Sequence, residues 1–191
     1  MKNVLSAFRS DVSRILVVDV LPGGLLIYPY YRWVVSSYPA LAAFVGASAF
    51  ARVVALIALA AVVGILLENV ASRVEYELDR KAGRSEKEWF DYLCLAFRVE
   101  PLGQEYAREL VMRMKFELAT AVALVVALPG TWLALLPRSS VMACVFVSIA
   151  MLVISSWLFN EAKSSGEVLN KIRKRLLEEA KVPPEHPNSS S

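Results

Sequence analysis

The sequence is poor in the residues that most soluble catalysis needs. It holds a single histidine, His186, within Val182-Pro183-Pro184-Glu185-His186-Pro187, a stretch whose composition predicts a disordered end. Zinc sites of the His/Cys type and Ser-His-Asp chemistry both need a histidine fixed on rigid structure. The two cysteines, Cys94 and Cys144, fall in an aqueous segment and an apolar run, so free thiols are expected rather than a disulfide framework. No G-x-x-x-x-G-K-[ST] or G-x-G-x-x-G string occurs, which removes the usual phosphate cradles. The net charge of +3 is small and the basic residues are interleaved with acids, which argues against direct nucleic-acid binding. No metal, cofactor or catalytic residue is assigned on these grounds.

What is abundant is apolar. Of 191 residues 57% are hydrophobic and the mean hydropathy is +0.48, above the roughly 45–50% apolar content of a soluble domain. The excess is gathered into four runs with little or no charge, Ile15–Val35, Pro39–Leu67, Leu118–Leu136 and Val141–Phe159. A run of about 18 or more apolar residues is long enough to cross a bilayer. The expected fold is an all-α integral membrane protein with four transmembrane helices and cytoplasmic helical extensions. The divisions are 1–14, an interfacial helix; 15–67, spans one and two; 68–117, a stalk and cap. There follow 118–159, spans three and four; 160–181, an amphipathic helix; and 182–191, a disordered tail.

Residues 1–14 predict no cleavable signal peptide, because Asp11 and Arg14 interrupt the position of an apolar core. Leu5, Phe8 and Val12 share a helical face suited to the membrane surface. Basic residues set the orientation. Lys and Arg number three in 1–14, nine in 68–117 and six in 160–191, whereas the opposite connections hold only Arg32 and Arg138. Both termini and the central segment are therefore expected in the cytoplasm, with the chain in the plasma (inner) membrane. Tyr28, Tyr30, Tyr31, Trp33, Tyr38 and Trp132 fall at the outer boundary and Trp157 near the inner one.

The aqueous segments have helical spacing. Val70, Val74 and Leu78 extend span two, Gly83 suits a C-cap, and Ser85-x-x-Glu88 opens a short aromatic helix. Pro101 and Gly103 interrupt that helix, and the next is expected from about Gln104 into span three. Trp89, Phe90 and Phe97 either fill the gap between the stalk helices or form a docking surface for a cytoplasmic protein. After span four, Ser164-x-x-Glu167 predicts a helix stop near Lys163 and a fresh start, with Val168, Ile172 and Leu176 as the apolar stripe. The basic cluster Lys171, Arg173, Lys174 and Arg175 either meets anionic lipid, if the Ser-Ser-Gly break bends the helix, or belongs to an amphipathic helix packed against the stalk.

Intramembrane polar residues are candidates by default: Asp19, Arg52 and Glu68. Asp19 lies near the inner edge, Glu68 marks the inner boundary, and the 29-residue second run places Arg52 near the outer edge. Asp19 and Arg52 are thus expected to face opposite leaflets. Pro22, Gly23, Gly24 and Pro29 break span one, as a packed kinked helix or as the lining of a transport path, and Pro129-Gly130 predicts a kink in span three. Ala43, Ala47, Ala51 and Ala55 form a small-residue stripe, for packing within the bundle or between copies.

These features suggest a non-enzymatic subunit that oligomerises, anchors in the lipid bilayer and docks a cytoplasmic partner. A channel, pore or permeabilising effector is the alternative, and a small intramembrane enzyme a third. No family motif is present. By general architecture the chain resembles small four-span membrane subunits that work beside soluble partners in prokaryotic modules, antiviral defence among them.

Overall fold

The structure, a computed structural model, describes residues 15–38, 48–81, 101–137 and 139–181. The interfacial N-terminal segment, Pro39–Ala47, the aromatic cap with Trp89, Phe90 and Phe97, Cys94 and the His186 tail lie outside them. Every described element is helical: α1 (Leu21–Ser37, entered through a π-helical turn, Ile15–Val20), α2 (Ala49–Lys81), α3 (Pro101–Leu135) and α4 (Val141–Lys181). Three helices contain stretches long and apolar enough to cross a membrane, Ala49–Leu78, Arg108–Leu135 and Val141–Ile172. The fold therefore fits an all-α membrane protein. The first helix, at 17 residues, falls just short of that length without its π-helical turn.

Each boundary has a local cause. Pro22 has no N–H to offer the carbonyl four residues before it, and a π register reaches one residue further, past the proline. At α2 the Ser48 hydroxyl accepts the Ala51 N–H at 3.0 Å, so the helix starts at Ala49 rather than at the Pro39 end of the apolar run. α3 starts at Pro101, three residues before the expected Gln104, because proline suits a helix's first turn, where N–H groups have no partner anyway. The α3–α4 connection is the expected tight hairpin. Ser140 closes it by accepting the Ala143 N–H on its side-chain oxygen at 3.3 Å.

One expectation fails. No stop occurs near Lys163: α4 runs unbroken for 41 residues through Ser164-Ser165-Gly166. The small residues serve packing instead. Ala162, Ser165 and Leu169, spaced three and four apart, are buried, while Val168 of the expected stripe is 39% exposed. A capping box needs a non-helical first residue, and close packing against α3 holds this segment helical.

α3 is the hub, packing against α1, α2 and α4. The helices alternate in direction. Asp19 and Gly23 of the first helix meet Gly64 and Ala60 of α2, Lys115 of α3 meets Glu68, and Ser165 and Ser155 of α4 meet Glu117 and Ala121. The core is narrow and built from small side chains: Leu67 and Ala71, Met114, Leu118, Ala119 and Ala123, and Ala162. Such residues let backbones approach, which is how helices associate where hydrocarbon removes the hydrophobic drive. The outward surface of α4, with Phe146, Ile149, Val153 and Trp157, is apolar and exposed, as a helix facing lipid must be.

Candidate functional site

Two features stand out, at opposite ends of the bundle. The first is a charged clamp. Lys115 Nζ on α3 donates to Glu68 Oε1 on α2 at 2.7 Å, with each side chain about three-quarters covered. On the next face of α3, Arg113 Nε donates to Glu117 Oε1 at 2.8 Å, and the same guanidinium reaches Glu161 on α4. The second oxygen of Glu117 accepts from the Ser165 hydroxyl at 3.3 Å. Glu117 is 5% exposed. A buried carboxylate needs its oxygens satisfied, and this one has a partner on each. α2, α3 and α4 are thus tied at one level by charge-assisted bonds.

Glu68 is the one sequence candidate in this clamp; its partner Lys115, and Arg113, Glu117, Glu161 and Ser165, were not among the candidates. The signal existed. Each of the three helices changes from apolar to charged at this level, and charges at the edge of hydrocarbon pair across helices where they can.

The second feature is an apolar cleft of about 570 Å³. It is lined by Val20, Leu21, Gly24, Leu25, Tyr28 and Pro29 of the first helix, with Leu124 and Thr131 of α3 and Val147 and Met151 of α4. Its one lining hydroxyl among side chains that could point inward from α3, that of Thr131, donates back to the Ala127 carbonyl at 2.9 Å. The volume lies within the roughly 300–1,000 Å³ of ordinary ligand pockets.

The break residues of span one divide between packing and cleft. Pro22 and Gly23 are buried. A Cβ on Gly23 would overlap the Ala60 carbonyl and come within 2.8 Å of Gly64 N, and one on Gly64 would lie 2.7 Å from Asp19 Cα. The glycines are therefore required for the crossing of the first helix over α2. Gly24, one residue on, meets nothing within 4 Å and opens onto the cleft, together with Pro29.

Tyr30 also ties the first helix to α3. Its hydroxyl donates to the Val126 carbonyl of α3 at 2.8 Å. Its ring lies on Gly130, where a Cβ would come within 2.9 Å of three ring carbons. Pro129 has no N–H for the Val125 carbonyl, and the neighbouring Val126 carbonyl accepts the Tyr30 hydroxyl. Nearby, Trp132 Nε1 donates to Ser148 Oγ at 2.6 Å and Ser155 Oγ to the Ala121 carbonyl at 2.9 Å.

The remaining candidates separate. Asp19 sits at the Gly64 crossing, while Arg52 lies in the first turn of α2, 12 residues away, or about 18 Å at 1.5 Å per residue. The structure does not bring them together. Arg52 is half-buried, and its Nε has no hydrogen-bond partner among the described residues. Ala51 and Ala55 are exposed, so this part of the alanine stripe is not packed against other described residues. Lys171, Lys174 and Arg175 are exposed on the straight α4 extension, the first of them about 18 Å beyond Phe159. Cys144 is a buried free thiol, and no metal-binding cluster of His, Cys, Asp or Glu occurs among the described residues. No family model, curated protein or solved structure matches the chain.

Proposed function

We propose that this chain is a non-enzymatic, four-span membrane subunit that anchors a cytoplasmic protein partner and is mechanically coupled to it. The observation that carries the reading is the continuity of three helices past the charged clamp. α2, α3 and α4 have 33, 35 and 41 residues, about 50, 52 and 62 Å at 1.5 Å per residue. The hydrocarbon core is only about 30 Å thick. Beyond the clamp residues, α2 continues 13 residues to Lys81, α3 reaches back 16 residues from Glu117 to Pro101, and α4 continues 20 residues to Lys181. All three projections leave the same end of the bundle. Helices tied by charge and continued without a break form a stiff stalk, an economical way to hold a soluble partner at a fixed place.

In this reading the first helix with its π-helical turn is the fourth span. The stalk end, both termini and Trp89, Phe90 and Phe97 face the cytoplasm of a cell whose plasma (inner) membrane holds the chain. The skew of Lys and Arg toward that end supports the orientation. The exposed Ala51 and Ala55 support self-association through α2, and a place beside soluble partners in a prokaryotic defence module follows from the architectural resemblance alone. The pore reading draws less support, since the main core cluster among the described residues, Leu67, Ala71, Met114, Leu118, Ala119, Ala123 and Ala162, is apolar.

The test is affinity purification of the tagged full chain from its native host in mild detergent. A soluble protein in fixed stoichiometry is expected, lost when Trp89, Phe90 and Phe97 are changed to Ala while the chain stays in the membrane fraction. Recovery of the chain alone would overturn the reading. Steady conductance from purified protein in a planar bilayer would favour the pore.

A further inference from the structure

We infer that the apolar cleft is a binding site for one phospholipid with an anionic headgroup, its acyl chain lying between the first helix, α3 and α4. The cleft-lining residues of the first helix fall into two rows, Val20, Gly24 and Tyr28, and Leu21, Leu25 and Pro29. Each row repeats every four residues, the spacing of one helical face. The next members are Arg32 and Trp33. A cation and an indole thus continue the face of the groove at the end away from the charged clamp.

Arg32 is exposed and forms no ion pair among the described residues. Trp33 is held edge-on against Tyr38, ring centroids 6.2 Å apart and planes at 88°. An arginine suits a phosphate because its planar fork of donors matches two oxygens at once, and tryptophan favours the headgroup level. From Val20 to Pro29 the groove follows the helix for about 13 Å at 1.5 Å per residue. It therefore offers an apolar slot, then a cation and an interfacial aromatic in line with it, which is the order of parts in a phospholipid.

Gly24 makes the slot. Its neighbour Gly23 is sealed against α2, but Gly24 has open space where a side chain would be. A Cβ there displaces no protein atom, so a side chain can enter the cleft from this position and occupancy can be separated from folding.

The test is native mass spectrometry of the full chain in detergent, with phosphatidylglycerol and phosphatidylcholine added in equal amounts. One phosphatidylglycerol should survive activation that strips the others, at least threefold over phosphatidylcholine. Gly24→Leu should reduce retention of both lipids at least fivefold, and Val147→Phe, entering from the opposite wall, should do the same. Arg32→Gln should keep a retained lipid but level the headgroup preference. Changing Lys171, Lys174 and Arg175 together to Gln should leave all of this intact. Wild-type retention in Gly24→Leu, or in Val147→Phe should the first variant fail to fold, would overturn the proposal. So would a preference that persists in Arg32→Gln, or retention lost with the three distal basic residues.

Discussion

The two ends of the bundle solve the same problem, holding helices together, by opposite means. At the clamp end, α2, α3 and α4 are joined by carboxylates and cations on top of a core of alanine, leucine and methionine. At the other end the first helix, α3 and α4 part around an apolar cleft, and the polar contacts there are hydroxyl and indole donors reaching backbone carbonyls or serine. The difference follows from solvent. Charges can be placed in quantity only where hydrocarbon gives way to water, whereas deeper in the bundle polar groups must be few and each must be answered at once. The clamp end gains rigidity from this, and the cleft end gains room.

The sharpest way to break the comparison is to damage the crossing that both ends depend on. Gly64→Val sets a branched side chain against the Asp19 backbone, which cannot yield. It should cost about 3 kcal/mol or more, read as a shift of the denaturant midpoint in micelles. Next comes the clamp itself. Glu117→Ala removes a buried acceptor serving two helices and should cost about 2 kcal/mol by the same measurement, with Ser165 left unbonded. Glu68→Gln and Lys115→Met combined in a double-mutant cycle should show coupling of about 1 kcal/mol, the larger part of it surviving added salt because both side chains are mostly covered.

At the cleft end, Tyr30→Phe should lose about 1 kcal/mol, the net value of one hydroxyl-to-carbonyl bond. The smallest effect has the opposite sign. Gly24→Ala should stabilise by up to about 1 kcal/mol, since it meets nothing and improves helix propensity. A cost in Gly24→Ala like that of Gly64→Val would mean the cleft is closed and the two ends alike.

Much of this architecture was legible in the pattern of apolar residues. The runs located three long helices, the surplus in the second run moved Arg52 to its far end, and the Pro137–Ser140 turn came out as a hairpin. What escaped depends on partners distant in the chain. Ser164-x-x-Glu167 reads locally as a start signal, but Glu117, 48 residues before Ser165, recruits that serine into a helix–helix contact. Ser48 works as a cap from within what reads as an unbroken apolar run. Gly23 and Gly24 look equivalent in sequence, and only the position of α2 makes one a tight contact and the other an opening. Tyr30 carries a hydroxyl whose acceptor, the Val126 carbonyl, lies 96 residues away and leaves no local mark in the sequence. Of the candidate residues, Glu68 was found without its partner, and the rest of the clamp was not found at all.

Glu161, which holds Arg113, lies 20 residues from each end of α4, about 30 Å of helix on either side. Val147 and Met151, in the wall of the cleft, lie on one side, and Lys171, Lys174 and Arg175 lie on the other. Met151 and Val147 on one side and Lys171 and Arg175 on the other thus stand at matching distances from Glu161, about 15 and 21 Å at 1.5 Å per residue, joined by one unbroken helix.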